Sequence, residues 1–152
     1  DYAAEKGIIV ALQNHNHGSW ANTADVCLRI IRETSRENFS YIMDTGQWLG
    51  AVGGSPRGWH DTGVDLYEDY LARVAPFACY VRAKIYKMDS GHESWLDYRK
   101  ILRILQDVDY NGTIGVVLEH QPAEFDEYEA LRRATKHLRT VVAESYAERD
   151  MA

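Results

Sequence analysis

Cysteine is scarce in this sequence. Only Cys27 and Cys79 occur, far apart and without Cys-x-x-Cys spacing, which argues against a disulfide framework and against a structural zinc site. Both are expected to be buried packing thiols. Long hydrophobic runs are also lacking: Ile8 to Leu12 and Ile114 to Leu118 are among the longest, far short of the roughly 20 residues that cross a bilayer. No membrane span is expected. Positive charge is in deficit, with 17 Lys and Arg against 23 Asp and Glu for a net charge of −6. The basic residues are spread through the chain, so a nucleic-acid backbone or an anionic membrane is not expected as principal partner. No charged-then-apolar leader precedes the first motif, and a cytoplasmic location is expected. What is present is the composition of one ordinary domain: 152 residues, 45% hydrophobic and 26% charged, enough to bury a core. A small soluble ligand fits this balance best.

Four short apolar runs rich in β-branched residues read as buried strands: Ile8 to Leu12, Tyr41 to Met43, Cys79 to Ile85 and Ile114 to Leu118. Each precedes a helical pattern. The first helix is expected from a cap at Asn22 or Thr23 to about Thr34, with Val26, Cys27, Ile30 and Ile31 inward. The second covers roughly Val64 to Val74 and stops before Pro76, which disfavours helix in the residue ahead of it. A third runs from about Ser94 to Val108 and a fourth from about Asp126 to Tyr146. Strands that alternate with helices form a parallel sheet, because each helical crossover returns the chain to the same end.

The polar clusters fall just after the strands: Gln13 to Gly18, Asp44 to Gln47, Tyr86 to Asp89 and Glu119 to Gln121. In parallel α/β sheets and TIM barrels ligands bind at that carboxyl edge. Gln13, Asp44, Arg82 and Glu119 follow one another at about the length of a βα unit, roughly 31 residues in an eight-unit barrel. Four units make half a barrel. Tyr2 to Lys6 with Gly7 reads as the last turn of a preceding helix, so an earlier unit is expected ahead of Asp1.

Gly7-Ile-Ile-Val-Ala-Leu-Gln-Asn-His15, Met43-Asp-Thr-Gly-Gln47, Val81-Arg-Ala-Lys84 and Gly112-Thr-Ile-Gly-Val-Val-Leu-Glu119, with the Tyr110-Asn-Gly112 turn, come in a familiar order. They resemble the fifth to eighth strands of xylose-isomerase-like TIM barrels, a family of sugar isomerases and epimerases that also contains hydroxypyruvate isomerases, dehydroshikimate dehydratases and apurinic-site endonucleases. The resemblance implies one partial barrel domain over residues 1–152, C-terminal half, with four parallel βα repeats. In that family a divalent cation is held by Glu, Asp, His and Glu at these strand ends, since oxygen ligands and imidazole suit such ions. Here Asp44 and Glu119 match the second and fourth ligands, whereas Gln13 and Arg82 replace the first Glu and the His. Gln47 stands where a further His is common.

These departures change the expected chemistry. The family's three carboxylates, neutral imidazole and dication carry one net negative charge. Asp44, Glu119 and Arg82 carry the same charge without a metal. A dication about 4 Å from Arg82 would be repelled by about 4 kcal/mol per unit charge at an effective dielectric near 20. The cofactor expectation is therefore none, or a weakly held Mn, Mg or Zn ion between Asp44 and Glu119. Arg82 is expected to fork onto one of those carboxylates and fill the cation position.

Proton abstraction next to a carbonyl of a sugar or small keto or hydroxy compound is the reaction the resemblance implies. Glu119 is the expected base, with Asp44 holding the substrate and Arg82 and Lys84 stabilising the enolate. His15 matches the His of the family's Glu-Asn-His run and is a candidate for proton transfer, while His17 reads as a loop residue. Gln13, Gln47, Trp48 and Arg57 are candidate substrate contacts. The loop from Trp48 to Gly63, with Gly50, Gly53, Gly54 and Gly58, reads either as a solvated turn, the commoner case, or as a mobile lid whose Arg57 can meet a phosphate or carboxylate. Trp48, Trp59 and Trp95 are candidates to stack on sugar faces, although barrel aromatics more often pack. His120 is expected to point away from the side of Glu119. The alternative to an enzyme is a non-catalytic carbohydrate-binding or scaffolding domain with a lost ligand set. An apurinic-site endonuclease is disfavoured by the missing ligands and the acidic charge. A half barrel leaves strand edges unpaired, so self-association or a missing N-terminal half is expected to cover them.

Overall fold

The computed structural model describes residues 1–54, 56–88, 90–119 and 126–150. His120 and Gln121, and Asp89 of the cluster after the third strand, lie outside the described residues. Four strands, β1 (Val10–Gln13), β2 (Phe39–Asp44), β3 (Ala78–Ile85) and β4 (Thr113–Leu118), form one parallel sheet in the order β1-β2-β3-β4. Helices separate them: α1 (Tyr2–Glu5) before β1, α2 (Ala24–Thr34) after it, α3 (Ala72–Val74) ahead of β3, α4 (Tyr98–Asp107) before β4, and α5 (Glu127–Asp150) at the end. The expected α/β architecture of successive βα units is what forms.

Helices α2 and α4 each begin where a side chain caps them. Thr23 accepts from Val26 N at the start of α2, and Asp97 accepts from Arg99 and Lys100 N at the start of α4. The third sequence-predicted helix thus begins at Tyr98 instead of Ser94, because Glu93 binds the amides of Trp95 and Leu96 and holds them outside the helix. Asp65 caps a single π-helical stretch, Leu66–Leu71, which runs into α3. A 3-10 turn through Pro76 then leads into β3.

Leu12, Tyr41, Met43, Val81, Ala83, Ile85, Ile114 and Val116 pack under the helices. Leu71, Val74, Tyr98, Ile101, Leu102 and Leu105 meet them from the helix side. Burying each Leu or Ile there is worth roughly 2 kcal/mol. Because side chains alternate along a strand, the register Asp44↔Arg82↔Gly115 and Lys84↔Val117 puts the charged residues on the opposite face.

Three expectations for packing change. Ile8, Ile9 and Val10 are about half exposed, since β1 is an edge strand with no neighbour on its outer side among the described residues. Cys79 is exposed while Cys27 is buried: the β2–β3 register passes from Tyr41↔Ala78 to Ile42↔Tyr80, leaving Cys79 as the extra residue of a bulge. On α2 it is Ala24, Cys27 and Leu28 that are fully buried, not Val26.

The loop after β2 packs against the core in its first part, around Trp48, Ala51, Gly53 and Gly54, whereas residues 56–63 are exposed. Trp48 is wholly buried, stacks on Tyr70 at 4.9 Å and donates its indole N–H to Asp44 O at 2.9 Å. A sugar cannot reach its face. Backbone bonds Gly54 N to Ala51 O, Gly58 N to Val52 O and Asp61 N to Gly50 O tie the segment to itself. Gly46 and Gly53 give room to Tyr86, whose ring would lie within 2.5 Å of a Cβ at either position. Among the described residues no helix is long and apolar enough to cross a membrane.

Candidate functional site

At the carboxyl ends of β2, β3 and β4 the chain places a row of charges. Asp44 ends β2 with no exposed surface. Its Oδ1 accepts the amides of Gly46 (3.1 Å) and Gln47 (3.2 Å), closing the turn after the strand. Its Oδ2 is buried and has no hydrogen-bond partner. That oxygen lies 3.8 Å from Arg82 Nη1 and 3.8 Å from Lys84 Nζ, beyond hydrogen-bonding distance. Burial raises the Asp44 carboxyl to about 6, against the opposing pull of Lys84 and the two amides.

Lys84, 4% exposed, donates to Glu119 Oε2 at 2.5 Å. Arg57 reaches across from the loop to the other oxygen, Oε1. Burial works to raise the Glu119 pKa, but the hydrogen bond and charge of Lys84, with Arg57, outweigh it and the net shift is downward. The expected fork of Arg82 is not formed: the guanidinium has one nitrogen at 3.8 Å from Asp44 and makes no bidentate pair. The reason is reach. Lys84, two residues further along the same face of β3, already stands between the two carboxylates.

His15 Nδ1 accepts the backbone N–H of His17 at 3.1 Å, which orients the ring. Its pKa is lowered, first by burial and then by His17 and Lys84, so it is held neutral. Gln47 is buried, with Oε1 3.2 Å from His17 Nδ1. His17, read as a loop residue, is thereby joined to the site. Gln13 lies on β1 in register with Ile42, on the same face as Asp44 but one step further from the rim. Among the described residues its side chain makes no hydrogen bond.

Several residues that hold the site were not singled out from sequence. Asn14, fully buried, donates to Asp44 O (3.0 Å) and Gln47 O (3.1 Å) and accepts from Asp44 N (2.9 Å) and Tyr41 Oη (2.6 Å). It locks the end of β1 to the end of β2. Thr45 Oγ1 accepts from Lys84 N at 3.0 Å, and Tyr98 Oη donates to Lys84 O at 2.5 Å. Glu93, buried, gathers the amides of Tyr86, Lys87, Trp95 and Leu96. Asn14 sits inside a conspicuous Asn-His-Asn-His run, which was a usable signal. For Glu93 the sequence carried none.

The residues present do not fit a divalent ion. Both Glu119 oxygens are engaged by cations, an ammonium lies between the two carboxylates, and Arg82 flanks the free oxygen of Asp44. Among the described residues no three His, Cys, Asp or Glu side chains are grouped to hold a metal.

Parallel βα units carrying a polar rim at the strand ends are the arrangement of TIM barrels and of open α/β sheets. The chain belongs to the xylose isomerase-like TIM barrel family, whose model matches residues 1–141. Its fold is similar to 3-keto-D-glucoside 4-epimerase YcjR from E. coli (TM-score 0.62, 21% identity, 91% of this chain and 48% of that one). It is also similar to a D-tagatose 3-epimerase-like protein (0.62, 18%, covering 99% and 52%) and to an L-ribulose 3-epimerase (0.61, 19%, covering 98% and 51%). The chain spans about half the length of these structures. Comparison with curated protein sequences gives no match.

Proposed function

We propose that this chain carries the site of a sugar isomerase or epimerase that moves a proton on the carbon beside a carbonyl, with fixed cations where relatives of the family use a metal. One observation carries the reading: a fully buried carboxylate, Asp44, with one oxygen unpartnered and its pKa at about 6. A general base works best with a pKa near the operating pH. Glu119, held ionised by Lys84 and Arg57, is the weaker base. In this reading Asp44 therefore takes the proton, and Lys84 and Arg82 stabilise the enolate oxygen. His15, neutral and oriented, is placed to pass a proton to the opposite position.

Family membership and neighbours that are sugar epimerases support this reading. Solvent deuterium exchange into candidate ketoses tests it. Exchange that falls at least about a hundredfold in Asp44→Asn and less in Glu119→Gln supports the assignment. Loss in Glu119→Gln alone gives the role to Glu119. Ligand binding with no exchange in the wild type would favour the non-catalytic carbohydrate-binding alternative, for which the engaged Glu119 is the argument. The open edge of β1 is, in the same proposal, covered by further barrel strands or by a second copy, which light scattering distinguishes.

A further inference from the structure

Charges at the site do not cancel. Arg57, Glu119, Lys84, Asp44 and Arg82 form a chain of alternating sign in which each neighbour is an ion pair. It begins and ends in a guanidinium, so three cations face two carboxylates. Among the described residues of this chain of charges one positive charge is in surplus, in a protein whose net charge is −6. Its looser end is Arg82, whose side chain is 30% exposed and touches Asp44 only at 3.8 Å. Among the described residues its planar donors make no hydrogen bond, although a guanidinium offers five N–H groups. Beside it lies the unpartnered Oδ2 of Asp44. At the other end Arg57 pairs with a single carboxylate, Glu119, and comes from a loop rather than from the sheet. It can exchange one carboxylate for another.

We propose that the compound taken at this site carries a carboxylate, as a sugar acid or a related hydroxy-keto acid does, received by Arg82 and by Arg57 as it leaves Glu119. The claim rests on the isomerase reading above and narrows its substrate class. The planar fork of a guanidinium matches a carboxylate with two parallel hydrogen bonds. A surplus of one charge is balanced by a carboxylate, whereas a phosphate brings about −1.5 to −2.

Calorimetric titration of the full chain with D-fructose, D-fructuronate and D-fructose 6-phosphate tests this. D-Fructuronate is expected to bind at least about tenfold more tightly than D-fructose, a margin that shrinks as added salt shortens the screening length. Arg82→Gln and Arg57→Gln each remove most of that margin, and Arg82→Lys, which keeps the charge without the fork, keeps part of it. Thermal melts of the variants check that the fold survives. Equal binding of sugar and acid, tighter binding of the phosphate, a margin that survives both glutamine variants, or no binding of any of the three would overturn the proposal. Exchange on a neutral ketose without acid preference would overturn it and leave the isomerase reading standing. Acid binding without exchange would do the reverse.

Discussion

Lys84 gives its short hydrogen bond to Glu119, at 2.5 Å, and keeps only a 3.8 Å contact with Asp44. That asymmetry separates the two carboxylates. One is held ionised and the other is left buried and poorly compensated, which is how a pair of acids comes to titrate apart.

Replacing Lys84 should expose the cost of both. Lys84→Met leaves Asp44 and Glu119 without their shared ammonium in a site where Asp44 has no contact with water. Breaking such a pair costs about 3 kcal/mol, the lower part of the usual range, because Glu119 remains a fifth exposed. Urea denaturation at pH 7 measures it, and the loss should be smaller at pH 5, where Asp44 is mostly protonated. A change under about 1 kcal/mol at pH 7 would show that solvent, not Lys84, balances these charges.

The Asp44 shift has a definite sign in stability. Folding raises its pKa from 3.8 to about 6, so between these values the folded state binds the extra proton. Its contribution is fully present below pH 3.8 and is lost as pH rises through about 6, a span worth about 3 kcal/mol at 1.36 kcal/mol per unit. Glu119 acts in the opposite sense, through a lowered pKa. The stability difference between wild type and Asp44→Asn, followed from pH 3.5 to 7, isolates the first group. A pH-independent difference would contradict the assignment. Proton-transfer activity should rise over the same window as Asp44 ionises.

Asn14 is predicted to matter more than its neutral side chain suggests. Asn14→Leu strands Asp44 N and Gln47 O in a dry interior, and takes one partner from Asp44 O, which keeps the Trp48 indole, and from Tyr41 Oη, which keeps Cys27. A loss of about 3 kcal/mol is expected, with a matching fall in the denaturation midpoint. If the variant is as stable as wild type, water replaces Asn14 and the strand ends are not locked by it.

Glu93→Gln removes one acceptor from a four-amide cradle and turns an NH2 group toward backbone N–H donors. The expected cost is about 2 kcal/mol, seen as faster hydrogen exchange at Tyr86, Lys87, Trp95 and Leu96. Unchanged protection of those amides would mean the loop holds its shape without the carboxylate.

The order of elements was legible because strand and helix alternate with different periods, and because a capping residue such as Thr23 announces itself, whereas the Asp97 cap does not, so that the sequence places the helix it starts too early. Asp44, Arg82, Lys84 and Glu119 were legible as one rim because they recur at the length of a βα unit near the ends of successive strands, while the register that puts them on one face came from the structure. The partner of each charge was not. A tabulation of signs allows Arg82 to fork onto Asp44 or Glu119, but distance gives Glu119 to Lys84. In sequence the glycine-rich loop reports glycine's backbone freedom, whereas one of its glycines, Gly53, makes room for the Tyr86 ring, a long-range contact that composition does not report.

What the sequence determined by itself is therefore the parallel βα pattern and the polar rim at the strand ends. Tertiary structure alone decided which carboxylate is buried without a partner, that Trp48 is core, that Cys79 sits in a bulge and that Arg57 spans to Glu119. The division has a physical cause. Period and residue type are properties of a few neighbours along the chain, while burial and ion pairing depend on distances between residues tens of positions apart, which no local pattern encodes.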